Sequence, residues 1–405
     1  MHSLKNIVIG VTGCVAAYKT AHLIRLLVQA GVNVRVVMTH SAAHFVGEAT
    51  FQALSGHPVY SSLWDTRIDN QMAHIELARW ADLILIAPAT ADIMAKLAHG
   101  QSDSLLTTLC LARHADLWIA PAMNQHMWNH PATQRNAQQL QADGISLLGP
   151  AKGLQACGDD GDGRMIEPET IFSALQGFGV PQVLKGKKVI VTAGPTFEAL
   201  DTVRGLTNKS SGKMGFAIAE AAIYAGAQNV ILVSGSSVSL PTPIGVQRIN
   251  TVSAQEMFDA VHQHLDHTDF FFSVAAVSDY KSATTLTHKV KRENNKEMTT
   301  QWVANPDILA SVVQSPNPPF CIGFAAESES LIHNAEQKRQ RKGVPLLAAN
   351  WIHEAVQNDT NTLILIDADG IHPLPSSSKT NLARQLVLYA AQLEQKLHNT
   401  TDSIS

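Results

Sequence analysis

Residues 7–19, IVIGVTGCVAAYK, and residues 188–198, KVIVTAGPTFE, each join a short β-branched run to a turn containing glycine. An apolar run that ends in a glycine turn and then becomes amphipathic is the pattern of a parallel strand feeding the helix that covers it. It occurs once near the start of the chain and once near the middle, so the sequence predicts two doubly wound α/β domains. Working outward from the first stretch, strands are expected at Ile7–Val11, Val34–Met38, Leu83–Ala87, Leu117–Ala120 and Ile145–Leu148, with helical stretches between them. Working outward from the second, they are expected at Val189–Thr192, Val230–Val233, Phe270–Val274, Cys321–Phe324 and Leu346–Ala348, with a helix at Met214–Ala225. The segment VPQVLKGKK (180–188) combines proline, glycine and lysines, which places the domain boundary between residues 185 and 186. Near the end, LILIDADGIHPL (363–374) sets Asp369-Gly370 between two apolar runs, a hairpin signal, before a last helix at about Asn381–Leu397 and a frayed HNTTDSIS.

Composition excludes several classes of protein. A chain of 405 residues is long enough for two or three domains at roughly 150 residues each. Apolar residues make up 45% and charged ones 16%, with mean hydropathy +0.01, which excludes a disordered chain. The 30 basic and 34 acidic residues leave a net charge of −4, so no electrostatic footprint for nucleic acid or an anionic membrane is present. No apolar run reaches the ~20 residues of a membrane span, and the first strand begins too early for a signal peptide, so a cytoplasmic protein is expected. The four cysteines lie far apart and form no CxxC, which argues against a disulfide framework or a zinc site.

The remaining motifs fall where α/β sheets bind ligands. APATAD (87–92) and APAMNQHMW (120–128) follow strands at their carboxyl ends. The turn GVTGC (10–14) suits either tight packing or a phosphate at a helix N-terminus, and the residues alone leave both open. His74, in MAHIELARW (72–80), stands near a helix start, a place more often occupied by a surface or internally satisfied histidine. QACGDDGDGRM (155–165) is too polar and glycine-rich for core and reads as a flap carrying Cys157. In the second half, NKSSGKMG (208–215) places serines that could cap a helix, or backbone amides that could hold an anion. SVAAVSDY (273–280), KVKRENN (289–295), NPDIL (305–309), GFAAE (323–327) and AEQKRQRKG (335–343) supply a carboxylate and many cations, a mixture that suits a polyphosphate with Mg²⁺ as well as a solvated charge run. HQHLDH (262–267) reads as a polar helix face rather than a metal cluster, and DADG (367–370) as a turn rather than a calcium loop.

In their order and spacing, GVTGCVAAYK, HIEL, PATAD, PAMNQHMW and ACGDDGDGRM resemble the flavin-containing cysteine decarboxylases. Together with the second half, the chain resembles, nearly end to end, the bacterial bifunctional phosphopantothenoylcysteine decarboxylase and phosphopantothenate–cysteine ligase family of coenzyme A biosynthesis. The resemblance implies a flavodoxin-like flavoprotein domain over residues 1–185 and a Rossmann-like ligase domain over 186–405. It also implies FMN held by Gly13, Cys14, Ser41, Pro88, Ala89 and Thr90, and substrate contacts from Met123, Met165 and Arg204. Its decarboxylase roles fall on His74 as base, Asn124 at the substrate carboxylate and Cys157 as proton donor. For the ligase it implies Asn208 at the phosphopantothenate and Lys289 at the transferring phosphate. It implies CTP contacts from Ser273, Val274, Ala275, Asp279, Lys289, Pro306, Asp307, Ile308, Leu309, Phe324, Lys338 and Lys342, with Asp279 as a Mg²⁺ ligand. Small-molecule substrates and a homo-oligomer, a dodecamer of trimers and dimers, are further implications. Two alternatives fit less of the chain: a peptidyl-cysteine decarboxylase has no use for the second half, and flavin-binding phosphatase regulators carry acidic tails unlike HNTTDSIS.

Overall fold

The computed structural model describes residues 4–64, 72–289, 300–352 and 360–402. The chain divides into two compact units, Met1–Gly179 and Val180–Ser405. This division falls ahead of the expected boundary at residue 185. Leu184 is already fully buried in the second unit's core, its N–H donates to Ala225 O over 2.8 Å, and Lys185 bridges to Ala227. The Pro and Lys signals therefore mark the entry into the second unit and not a linker.

In the first unit the strands are β1 (Asn6–Val11), β2 (Asn33–Met38), β3 (Val59–Tyr60), β4 (Leu83–Ala89), β5 (Asp116–Pro121) and β6 (Ser146–Leu147). They form one parallel sheet in the order β3-β2-β1-β4-β5-β6. The two-domain α/β expectation holds, but this is the dinucleotide-fold order and not the 2-1-3-4-5 order of a flavodoxin-like sheet. Alternate residues of β1 feed the two faces. Ile7, Ile9 and Val11 pack beneath the helices Ala17–Gln29 and Pro168–Gln176, while Val8 packs with Leu77, Met94 and Leu106 on the other side. The expected flap is a hairpin of β7 (Ala151–Leu154) and β8 (Asp160–Arg164).

The second unit repeats the plan. Its strands are β9 (Lys188–Ala193), β10 (Phe197–Ala199), β11 (Gly205–Thr207), β12 (Asn229–Gly235), β13 (Val246–Thr251), β14 (Phe270–Ser273), β15 (Tyr280–Ser282), β16 (Trp302–Ala304), β17 (Phe320–Glu327), β18 (Leu346–Trp351), β19 (Thr360–Ile366) and β20 (Ile371–Ser378). Eight of them form a sheet in the order β13-β12-β9-β14-β17-β18-β19-β20, parallel except for β19, which is antiparallel to both β18 and β20. The hairpin expected at Asp369-Gly370 joins β19 to β20. Its turn is held by Asp367, whose Oδ1 accepts from the N–H groups of Asp369 and Gly370. The short pairs β10-β11 and β15-β16 have no counterpart in the sequence expectation, because three-residue strands carry too little periodicity to read.

Three helix expectations are corrected. The helix Lys213–Tyr224 is capped by Gly212 at φ 75° and not by Ser210 or Ser211, and Gly215 lets its first turn rest on β9. A Cβ on Gly215 would lie 2.5 Å from Ala193 Cβ. The last helix runs Lys379–Asp402, so the segment expected to fray is helical through residue 402. The histidine-rich segment also departs from a single helix face, since the helix ends at Gln263 and His267 takes φ 57° beyond it.

Candidate active sites

The first unit's site lies at the carboxyl ends of β1, β4 and β5, where the covering helices change sides. Thr12, immediately after β1, joins the two loops there. Its Oγ1 donates to Pro88 O over 2.7 Å and accepts from Thr90 N at 3.3 Å. Thr20 adds a bond from its Oγ1 to Ala87 O, at 2.7 Å. Thr90 then caps the helix Ala91–Ala98 by accepting from Ile93 N. Gly13 allows the turn to lie against the His40–His44 segment, for a Cβ there would come 2.5 Å from Ser41 Cβ. Of the FMN candidates, Pro88 and Ala89 are buried at the end of β4, Gly13, Cys14 and Thr90 are half-buried, and Ser41 is exposed. Burial pushes the Cys14 thiol up, so it stays protonated. Val15 and Tyr18 stand 53% and 62% exposed beside this turn, apolar surface that calls for a cover.

A second group forms where the β7-β8 hairpin meets the loop after β5. Met123 N donates to Gly163 O over 2.9 Å, and Gln125 N to Gln155 Oε1 at 3.1 Å. Asn124 caps the short helix Gln125–Asn129, its Oδ1 accepting from His126 N. Its Nδ2 donates to Asp159 Oδ2 over 2.7 Å and to Cys157 Sγ over 3.2 Å, and Cys157 Sγ donates to Asp159 Oδ2 at 3.4 Å. The Asn124 amide and then the Cys157 thiol hold the Asp159 carboxyl below the usual carboxylate range. The hairpin thus presents an exposed thiol, whereas burial pushes Cys110 and Cys321 up to about 12. The structure brings Asn124 and Cys157 together, and among the described residues no hydrogen bond joins His74 to either. His74 Nδ1 is buried without a hydrogen-bond partner among the described residues.

Met165 is corrected: its side chain is 1% exposed and belongs to the core, and its carbonyl accepts from Lys19 Nζ over 3.0 Å. The sequence reading passed over Lys19, which is buried and also pairs with Glu167 at 2.9 Å, anchoring the hairpin's exit to the first helix. It equally passed over Gln155 and Asp159, acid and amide in a stretch whose glycines dominated the reading.

The second unit's site is a cavity of about 430 Å³ over the carboxyl ends of β9, β14, β17 and β18. Thr192 Oγ1 fixes its floor by accepting from Val274 N at 3.1 Å and Ala275 N at 3.2 Å. Asn208 reaches across it, Nδ2 donating to Ala276 O over 2.9 Å. Four lysines (Lys209, Lys213, Lys338 and Lys379) line the cavity against one carboxylate, Asp279. That imbalance, beside the N-terminus of the helix Lys213–Tyr224, suits a polyanion. Burial pushes the Lys338 ammonium down, with Glu327 opposing, and its Nζ donates to Phe324 O over 2.7 Å.

Of the nucleotide candidates, Val274, Ala275, Asp279, Phe324 and Lys338 line the cavity, as does Asn208, and Ser273 ends β14 just below it. The rest differ. Ile308 and Leu309 are 4% and 7% exposed and pack into the core, so their side chains are not available to a ligand. Asp307 caps the helix Ile308–Val313 and forms an ion pair with Lys342, which turns Lys342 toward Asp307 although it shares a helix face with Lys338. Pro306 precedes that cap, half-buried. Arg204 lies at the turn of the β10-β11 hairpin, its N–H donating to Asp201 Oδ1. Lys289 is exposed, and Lys291 and Arg292 lie outside the described residues. Among the described residues no group of three or more His, Cys, Asp or Glu could hold a metal ion, so Asp279 stands as a single carboxylate. Asn350, Asn361 and Lys379 also line the cavity, buried at 7%, 5% and 7% exposure. Their signal in sequence was slight, three polar residues at positions where strand and helix patterns expect apolar ones.

Comparison with known proteins agrees with this division. The Flavoprotein family matches residues 1–179, and the family described as the DNA/pantothenate metabolism flavoprotein C-terminal domain matches residues 184–393. The coenzyme A biosynthesis bifunctional protein CoaBC of Vibrio cholerae is 49% identical over 94% of this chain and 96% of its own length. Those of Escherichia coli K12 and Bacillus subtilis are 45% and 42% identical, over 95% and 97% of this chain and 96% and 98% of theirs. Among the described residues no helix is long and apolar enough to cross a membrane. The chain belongs to the bifunctional family of coenzyme A biosynthesis, in which a phosphopantothenoylcysteine decarboxylase is joined to a phosphopantothenate–cysteine ligase.

Proposed function

We propose that the second unit couples 4'-phosphopantothenate to cysteine with CTP, through an acyl-cytidylate, and that the first unit, with FMN, decarboxylates the product to 4'-phosphopantetheine. The observation that carries the ligase half is the four-lysine cavity with one carboxylate. Attack of the substrate carboxylate on the α-phosphate makes a mixed anhydride and releases pyrophosphate, and the cysteine amine then displaces CMP. Lys338 and Lys213 would neutralise the triphosphate, and Asn208, held on Ala276 O, would orient the acyl group. Lys289 would meet charge growing on the transferring phosphate. Asp279 would be the protein ligand to a Mg²⁺ ion, which would supply positive charge to the nucleotide and takes few protein carboxylates in such sites.

In the first unit, the turn at Gly13 and the segment from Pro88 to Thr90 would hold FMN, offering backbone N–H groups of the kind that bind phosphate, and the exposed Val15 and Tyr18 would offer it apolar surface. Bound flavin would supply a reversible two-electron acceptor for the thiol-bearing carbon. His74 would take the thiol proton through its unpartnered Nδ1. With that carbon as a thioaldehyde, the carboxylate sits β to C=S, so loss of carbon dioxide leaves an enethiolate stabilised by sulfur. Asn124 would hold the carboxylate until then. Cys157, an exposed thiol on the hairpin, would protonate the carbon that lost it. Met123, half-buried beside Asn124, would touch the substrate, as would Arg204 in the ligase. The same exposed apolar surface supports a homo-oligomer, for which the resemblance suggests a dodecamer of trimers and dimers. Four free cysteines suit the reducing cytoplasm.

Three outcomes test this reading. Cys157→Ser should still release carbon dioxide but yield a product two mass units light, the oxidised enethiol, detected by mass spectrometry; normal reduced product would refute the proton-donor role. Lys289→Gln should abolish ligation and spare decarboxylation of supplied phosphopantothenoylcysteine, whereas loss of both would contradict its assignment to the ligase. Burial depresses Lys338 and a bound polyanion would raise it, so binding takes up a proton at the pH values where the unliganded lysine has begun to lose one. Affinity for CTP, followed by calorimetry from neutrality upward, should therefore begin to fall below pH 10.5, the lysine's ordinary value, and Lys338→Arg should move that onset higher.

A further inference from the structure

Groups of the protein itself already occupy the Asn124 amide. Its Oδ1 is fixed by His126 N, which turns Nδ2 toward the hairpin, and there Nδ2 meets Asp159 Oδ2 at 2.7 Å. The same carboxylate oxygen accepts from Cys157 Sγ, and Gln155 N donates to Asp159 O over 2.8 Å, holding the hairpin turn closed around the three side chains. A carboxylate thus stands on the donor assigned above to the substrate carboxylate. It has the charge and hydrogen-bonding capacity of the group to be bound. Two carboxylates cannot share one N–H donor without like-charge repulsion.

We propose that Asp159 is a positioning residue that serves as an internal stand-in for the substrate carboxylate: it holds Asn124 and Cys157 in register and is displaced when substrate arrives. The inference rests on the assignment of Asn124 to the substrate carboxylate. Its consequence is coupling between binding and proton donation. While Asp159 stays in place the Cys157 S–H points at it; once the substrate carboxylate takes the Asn124 amide, Asp159 leaves and the S–H is released toward the substrate. A further consequence is selectivity. Asp159 competes with ligands that carry a carboxylate and is indifferent to those that lack one.

The test uses the flavin-loaded full chain and two ligands differing by that carboxylate: phosphopantothenoylcysteine, through its KM, and 4'-phosphopantetheine, through its Ki as a competitive inhibitor. Asp159→Ala should lower the KM/Ki ratio by about threefold to tenfold, the scale of an exposed charge-assisted contact, with Ki unchanged. It should also raise the fraction of oxidised product, as Cys157 loses its register. Asp159→Asn, which keeps size and removes charge, should lower the ratio less and carries the test if the alanine variant fails to fold. An unchanged ratio in a folded variant, or an equal change in both constants, overturns the proposal. Asn124→Ala separates the two assignments. If it raises the ratio while the Asp159 variants leave it unchanged, only the stand-in fails; if it leaves the ratio unchanged, the role of Asn124 fails first.

Discussion

A threonine hydroxyl beside the central strand of each sheet ties that strand to the loop across the crevice, and the sites depend on it. Thr12 does this after β1, bonding Pro88 O and Thr90 N; Thr192 does it within β9, accepting from Val274 N and Ala275 N. Both crevices open where the strand order reverses direction, between β1 and β4 and between β9 and β14. There the covering helices diverge to opposite faces, and backbone groups at the strand ends would be left without partners. The hydroxyls satisfy some of them.

The two sites then diverge by what surrounds a shared frame. In the first, small residues and exposed apolar side chains at the crevice favour a flat aromatic cofactor, and the hairpin β7-β8 brings a thiol, an amide and a carboxylate to its edge. In the second, lysines outnumber carboxylates and helix N-termini face the opening, so the same geometry suits a polyanion. One chain can therefore make an amide in one unit and decarboxylate the product in the other without a change of fold.

Much of this was legible in the sequence. Most of the ten expected strands lie where apolar runs meet glycine or proline, because central parallel strands are buried on both faces and read as continuous apolar stretches; Phe270–Val274 is legible from its apolar run alone. Polar motifs that interrupt this pattern were readable as candidates; the structure brings Asn124 and Cys157 together and places Asn208 and Lys338 at the cavity. What escaped was set by tertiary contact. Met165, Ile308 and Leu309 lie within site motifs, yet their side chains complete the core. Lys342 shares a helix face with Lys338, yet an aspartate thirty-five residues earlier claims it. Asp159 is one of three acids in the stretch 159–162, and nothing in the stretch distinguishes the one that meets Asn124. The strand order, 3-2-1-4-5-6 and not a flavodoxin's, is likewise a property of pairing that no local pattern records.

The central claim, that the two units catalyse successive steps, is tested most directly by incubating the flavin-loaded protein with 4'-phosphopantothenate, cysteine, Mg²⁺ and CTP, with ATP in a parallel reaction, and identifying the products by mass spectrometry. The account predicts 4'-phosphopantetheine, CMP and pyrophosphate together in the CTP reaction. Phosphopantothenoylcysteine accumulating without decarboxylation, or no product with either nucleotide, would contradict it.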